Sequence, residues 1–209
     1  MKIIECEQGS SEWFEARKGV PTASRFGMVL TAKTMRLSAQ ADELINQLIG
    51  EKLSLIPPEG VEHFTNRAIR WGEQTEDEAR AWYSLETNHD VQQVGFCLTD
   101  DGRFGCSPDG LIGDDGVLEL KCPQAATQVS YLLAGGLPSE YRAQCAGALI
   151  VTGRPWLHFV SYSPGLPPLL VKVQRDEYVE KLAAALEEFH IRYQDALERI
   201  TSMGGGRGE

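Results

Sequence analysis

Ser107-Pro108-Asp109-Gly110-Leu111-Ile112-Gly113-Asp114-Asp115-Gly116-Val117-Leu118-Glu119-Leu120-Lys121-Cys122-Pro123 decides how this chain is read. Gly113-Asp114-Asp115-Gly116 is turn chemistry between two runs of β character. The pattern predicts a strand over residues 104–112, a reversal, and a second strand over 117–122. In the second strand strict alternation sends Glu119 and Lys121 to one face, and Leu118, Leu120 and Cys122 to the other. A two-residue loop at Asp114-Asp115 would set Asp109 opposite Leu120, one step from Glu119. A three-residue loop or a bulge would set it opposite Glu119 itself. Cross-strand neighbours lie about 5 Å apart, so both carboxylates can share one hard divalent cation. Mg²⁺ or Mn²⁺ prefers carboxylate oxygens, carbonyls and water. The Leu120 carbonyl, between the two site residues, is a candidate third ligand. Lys121 is then placed to position or deprotonate a water for attack on phosphorus, or to offset developing charge. Pro123 ends the strand and opens a helix.

Each piece has an ordinary explanation. Asp-Gly is common in turns, and Glu-Leu-Lys is a common solvated strand face. Taken together, Ser-Pro-Asp-Gly followed by Glu-Leu-Lys-Cys-Pro is far more specific. It resembles the core of the PD-(D/E)xK nucleases, with Asp109, Glu119 and Lys121 as the catalytic set.

The composition sets bounds. A chain of 209 residues, 42% hydrophobic and 24% charged, is long enough for one α/β or α+β domain with a sizeable core. We expect that domain over residues 1–203, with 204–209 as a disordered tail. The absence of a long apolar run and of a signal-like N-terminus predicts no membrane span and a cytoplasmic protein. Cys6, Cys97, Cys106, Cys122 and Cys145 are odd in number and widely spaced, which fits reduced thiols better than disulfides, zinc or an iron–sulfur cluster. No phosphate-binding loop of the ATPase kind occurs, so ATP is not implied. A net charge of −10 is unusual for a protein that handles nucleic acid. Bound cations would invert the field at the site itself.

The periodicity predicts a helix from Ser10 or Ser11 to Arg17, a second over 23–31 capped by Thr22, and a third after Ser38 carrying Ala41, Leu44, Ile45, Leu48, Ile49 and Leu53. Residues 56–60 read as a loop, and Thr65 as the cap of a longer helix to Glu86. Three β segments are expected over 91–122, helices over 124–134 and 139–151, and strands over 157–162 and 169–174. Asp176 caps a final long helix. The expected architecture is a mixed, mostly antiparallel central sheet flanked by helices.

The order of motifs resembles the phage lambda-type alkaline exonucleases, the YqaJ-like viral recombinase family, over nearly the whole chain. The resemblance rests on Trp13 with Arg17-Lys18-Gly19-Val20-Pro21-Thr22-Ala23-Ser24, Trp71-Gly72-Glu73-Gln74-Thr75-Glu76, Cys106 to Leu111, Leu118 to Pro123, and Tyr141-Arg142-Ala143-Gln144. It implies a restriction-endonuclease-like fold and a Mg²⁺-dependent 5′→3′ exonuclease of double-stranded DNA that leaves 3′ overhangs. It also implies a ring-shaped homotrimer that works with a single-strand annealing protein in recombination. Arg17 and Ser24 would seat the 5′ phosphate, Glu76 would approach the metal site, and Gln144 would complete it. Without the resemblance, Arg17 reads as a charge serving a helix C-terminus, Gln144 as a polar position on an amphipathic helix, and Glu76 as no different from Glu78. Tyr131, Tyr141 and Trp156 are aromatic enough to stack on bases, although core packing explains each. In the lambda enzyme a basic residue follows the Lys-Cys-Pro segment within one turn. Gln124 to Gln128 contains none. A same-fold endonuclease and a catalytically silent DNA-binding protein are the rival readings.

Overall fold

The structure is a computed structural model, described here for residues 1–31, 35–54 and 67–204, with side chains from 75 onward in the last segment and short of its final residue. The expected loop at 56–60 and the Thr65 cap lie outside the described residues. The strands are β1 (Lys2–Ile4), β2 (Leu30–Thr31), β3 (Arg36–Leu37), β4 (Val91–Gln92), β5 (Phe96–Leu98), β6 (Gly105–Cys106), β7 (Gly110–Ile112), β8 (Gly116–Lys121), β9 (Trp156–Ser161) and β10 (Leu169–Gln174). The α-helices are α1 (Ser11–Arg17), α2 (Ala41–Leu53), α3 (Arg67–Thr87), α4 (Ala125–Ala134), α5 (Arg142–Thr152) and α6 (Glu177–Gly204).

The main sheet has the order β10-β9-β8-β7-β4, with β8 and β9 parallel and its other pairs antiparallel. This is the mixed, mostly antiparallel sheet that the sequence predicts. β8 lies at its centre and is buried on both faces. Leu118 and Leu120 pack with Ala79 and Tyr83 of α3, whereas Val117 joins the larger core with Leu157, Phe159 and residues of α5 and α6. Helices therefore cover both sides, and Glu119, the charged residue in the middle of β8, is left only a narrow opening at the edge of a cleft.

Three expectations change. Residues 104–112 do not form one strand. β6 pairs with β5 in a separate three-stranded sheet, β1-β5-β6, and β7 belongs to the main sheet. Pro108 has no N–H to give a ladder, so the chain leaves one sheet and enters the next across Ser107-Pro108-Asp109. Residues 91–122 accordingly carry five strands instead of three. The helix expected over 23–31 is a 3-10 helix over Ala23–Met28 followed by β2. Its three-residue period buries Ala23 and Phe26 together against α5. There a Cβ at Gly147 would stand 2.5 Å from the Phe26 ring, so only glycine allows the approach. The helix expected over 139–151 begins as a 3-10 turn, Ser139–Tyr141, and continues as α5.

Other boundaries fall where the sequence puts them. Ser10 caps α1 by accepting from the Trp13 N–H at 3.2 Å, and Asp176 caps α6 through the Val179 N–H at 3.1 Å. α6 extends to Gly204, the first residue of the expected tail; 205–209 lie outside the described residues. α4 is tied to the sheet through buried Gln128, which donates to the carbonyls of Ser161 (3.1 Å) and Pro167 (2.9 Å). None of the five cysteines forms a disulfide. Among the described residues, no helix is long and apolar enough to cross a membrane.

Candidate active site

The β7–β8 turn is the three-residue form. Ile112 pairs with Gly116 across Gly113-Asp114-Asp115, and Gly113 takes a φ of +50° that suits glycine. Continuing this register puts Asp109 beside Glu119. Pairing stops at Gly110, where a Cβ would meet Val91 of β4 at 2.2 Å. Asp109 is then held locally. Its N–H donates to the Leu118 carbonyl at 3.1 Å, and its Oδ2 accepts from the Leu120 N–H at 2.6 Å. The Lys121 carbonyl faces β9, where it accepts from the Tyr162 N–H at 2.8 Å. Successive backbone groups of a strand point to opposite sides, so the Leu120 carbonyl faces away from β9, on the Asp109 side.

Glu119 is 2% exposed. Its Oε1 accepts from the Lys121 ammonium at 2.5 Å and from the Gln144 side-chain amide, which α5 delivers from above. Burial pushes the Glu119 carboxyl up, and the Lys121 ammonium opposes that rise. The Asp109 carboxyl is pushed up to about 7, first by burial and then by the Glu119 charge. Burial alone would lower the Lys121 pKa, but the two carboxylates outweigh it and hold the amine protonated, above its ordinary value. Glu119 is thus buried and Asp109 partly so, the Glu119 charge acts on Asp109, and the Lys121 ammonium is bonded to Glu119; the raised carboxyls mark a site short of positive charge even with Arg80 nearby.

Glu76 comes from α3. It is half-buried and ion-paired to Arg80 one turn later at 2.7 Å, whereas Glu78 is exposed. The structure therefore separates the two residues that the sequence could not. Burial raises the Glu76 carboxyl and the Asp109 charge raises it further, against the pull of Arg80.

Arg17, the last residue of α1, lines a cleft of about 210 Å³ together with Asp109, Glu119 and Lys121; Thr22, Ser24, Ser107 and Gln144 also line it. Its Nη1 donates to Ser107 Oγ at 2.9 Å, and its guanidinium stacks over the Trp13 ring at 4.0 Å. Burial lowers the Arg17 pKa. Ser24 is exposed on the cleft wall, its hydroxyl 3.3 Å from that of Thr22. The expected helix start at Ser24 is a six-residue 3-10 helix, so its anion affinity would rest on the hydroxyl and not on a helix dipole. All eight candidate residues (Asp109, Glu119, Leu120, Lys121, Glu76, Gln144, Arg17 and Ser24) thus gather around one region. Of the aromatic candidates, Tyr141 comes to the site, its ring 5.5 Å from the Lys121 ammonium. Trp156 packs on His158 and Tyr131 against Tyr141, in keeping with packing roles.

The family model of the YqaJ-like viral recombinase domain matches residues 12–155, a span that includes all eight candidate residues. The chain belongs to this family. The YqaJ-like chain is 31% identical to an alkaline exonuclease (LHK-Exo) from Laribacter hongkongensis, covering 94% of this chain and 98% of that one at a TM-score of 0.80. The same enzyme in complex with dAMP superposes at 0.79. A phage-related exonuclease from Haemophilus somnus 129PT, 11% identical with 87% and 96% covered, shares the fold at a TM-score of 0.61. No curated protein sequence matches the chain. Family and fold together support a nuclease acting on DNA on the PD-(D/E)xK scaffold.

Several residues of this YqaJ-like site carry no role in the sequence reading. Ser107 and Trp13 anchor Arg17: the Trp13 indole N–H donates to Ser107 Oγ at 2.8 Å. Arg80 is bonded to Glu76, and a spacing of four on a helix was a signal for that pair. Gln8 donates to the carbonyls of Val94 and Pro108, both at 3.0 Å, and nothing in its local sequence points there.

Proposed function

We propose that this protein is a metal-dependent 5′→3′ exonuclease of linear double-stranded DNA that releases 5′-mononucleotides and leaves 3′ single-stranded overhangs. The observation that carries the reading is a single cleft lined by Asp109, Glu119 and Lys121 together with Arg17. Such a cleft suits a strand end: one phosphate gripped, the next beside the carboxylates. The complex of the Laribacter enzyme with dAMP, a deoxynucleoside monophosphate, is in keeping with mononucleotide release.

The donor set suits Mg²⁺, with Mn²⁺ as a substitute. Among the described residues no three His, Cys, Asp or Glu side chains form a metal cage. Asp109, Glu119 and the Leu120 carbonyl would supply two or three hard oxygens, leaving the rest to water, the coordination Mg²⁺ tolerates best. The deficit of positive charge between the carboxylates fits the same ion. Bound there, it supplies Lewis-acid polarisation of the scissile phosphodiester. Lys121, kept protonated by its two acidic neighbours, acts as a donor to the phosphate and a partner for the charge that builds up in the transition state. Gln144 commits its N–H to Glu119, which leaves its carbonyl oxygen to orient a water. Glu76 adds a second acidic edge beyond Asp109. The Arg17 fork has donors beyond the one given to Ser107. With Ser24 it would hold a terminal 5′ phosphate, so the chain would be read from its end.

A net charge of −10 gives weak bulk attraction for DNA. Enclosure by a closed trimeric ring would keep the duplex bound through many cycles without it. A single-strand annealing protein would then receive the overhang. ATP has no role in the scheme.

The test is digestion of linear duplex labelled at either end, with and without Mg²⁺ and a 5′ phosphate, beside a closed circle. The 5′ label should leave first as a mononucleotide, the circle should survive, and EDTA should stop the reaction. Cleavage of the circle would establish the same-fold endonuclease instead. Full activity in excess EDTA would remove the metal.

A further inference from the structure

Ser107-Pro108-Asp109 crosses between two sheets, so no ladder holds it. Its bonds are made largely by side chains from distant parts of the chain. Trp13 and Arg17 take the Ser107 hydroxyl. The Gln8 amide donates to the Pro108 carbonyl at 3.0 Å and also to Val94, just before β5. The Arg80 guanidinium donates to the Asp109 carbonyl. Arg80 is itself fixed. It is 16% exposed and ion-paired to Glu76 at 2.7 Å, and the Gln93 carboxamide, with its oxygen toward it, accepts from Nε and Nη2 at 3.0 Å each. The two carbonyls that flank the Asp109 N–H and side chain are thus gripped by two residues roughly seventy positions apart, one before α1 and one on α3.

We propose that Gln8 and Arg80 are positioning residues that clamp the Pro108–Asp109 segment and thereby aim the Asp109 carboxylate at the Leu120 N–H and Glu119. The physical case is one of degrees of freedom. Asp109 keeps a single main-chain bond, to Leu118, so a rotation of the rigid Pro108–Asp109 peptide plane, through the soft torsions on either side of it, would swing its carboxylate. Fixing both neighbouring carbonyls removes that rotation. Arg80 does more than Gln8, because its planar fork also sets the distance between Glu76 and Asp109. The clamp deepens the exonuclease reading, in which Asp109 is a metal ligand. Outer contacts of this kind orient ligands and commonly change metal affinity by about 10–100-fold when lost.

The Leu120 amide reports the aim of Asp109 directly and needs no metal. In Gln8→Glu, which keeps the shape but loses the donor, and in Arg80→Lys, which keeps the charge but loses the fork, amide hydrogen exchange at Leu120 should accelerate by about tenfold or more. The Tyr162 amide, bonded to the neighbouring Lys121 carbonyl, should keep its rate. The double variant should be no worse than the more affected single one, because both act on one segment. Mn²⁺ affinity should weaken by about tenfold or more, and loss of activity should fall on kcat with KM for DNA ends nearly unchanged. Unchanged exchange at Leu120 overturns the clamp. Equal acceleration at Leu120 and Tyr162 also overturns it, because that result marks a general loss of stability. Should Arg80→Lys fail to fold, Gln8→Glu decides alone. Wild-type protein that binds no Mn²⁺ would end the metal reading, while the exchange data would still judge the clamp.

Discussion

Replacing Asp109 by Asn should make the metal-free protein more stable while abolishing its activity. The Asp109 carboxyl is pushed from an ordinary 3.8 up to about 7 by burial and the Glu119 charge. At tenfold per ~1.4 kcal/mol, ionising it in the folded state costs at most about 4 kcal/mol. The cost is shared with Glu119 and reduced by solvent in the cleft, so about 1–3 kcal/mol is expected. The sign follows from linkage. Between pH 4 and 7 the folded state binds more protons at this position than the unfolded state, so stability contributed here falls as pH rises through that window. The Asn amide oxygen still accepts from Leu120, so the substitution removes the charge and keeps the hydrogen bond. For a chain of this size, 1 kcal/mol moves Tm by about 2–4 °C. Asp109→Asn should therefore melt about 2–12 °C above wild type at pH 8 in EDTA, with the gain vanishing near pH 4.

Divalent cation should reverse the order. Wild type gains about 4.1 kcal/mol at a thousandfold excess of cation over Kd, more than the Asn advantage, and the Asn variant gains little. Scanning calorimetry over pH 4–8, with EDTA and then with Ca²⁺ or Mn²⁺, measures every arm. A lower Tm for Asp109→Asn in EDTA at pH 8, or a difference that ignores pH, would refute the picture of two underneutralised carboxylates.

Glu119→Gln and Lys121→Met should each cut turnover by about 100-fold or more, and Lys121→Met should retain Mn²⁺ binding in calorimetry; near-normal turnover in either would displace the site. Glu76→Gln should slow digestion while Glu78→Gln, on the exposed side of α3, should not, so equal effects would show that nearness to Asp109 is irrelevant. Arg17→Ala should narrow the rate advantage of 5′-phosphorylated over 5′-hydroxyl duplex, and an unchanged ratio would place phosphate recognition elsewhere. Light scattering should give about three times the 23.1 kDa chain mass, and a monomer that digests long duplex in the presence of competitor DNA would rule out enclosure as the source of processivity.

How much of this was legible in the sequence depends on how far each signal reaches. The β7–β8 hairpin was local: turn residues and alternation gave Glu119 and Lys121 a common face, and only the loop length was open. The break at Pro108 was written in the residue itself, yet the β-like run on either side outweighed it, and one strand was expected where the chain changes sheets. Glu76 and Glu78 could not be told apart on the helix alone, because both flank the apolar stripe that carries Ala79 and Tyr83, and only the packing of that stripe on Leu118 and Leu120 shows which flank meets Asp109. Arg17 illustrates a different limit. Its local reading as a charge at a helix end is correct, since it ends α1, but its place in the cleft is set by Trp13 beside it and Ser107 ninety residues away. Gln8 and Arg80 belong to the same class: their partners are main-chain carbonyls, and a carbonyl leaves no mark in a sequence. The Asp109 and Glu119 carboxylates were legible as a pair because a hairpin brings them together. The groups that aim them were not, because they are recruited wherever two sheets fail to meet and the backbone needs bonds that no strand provides.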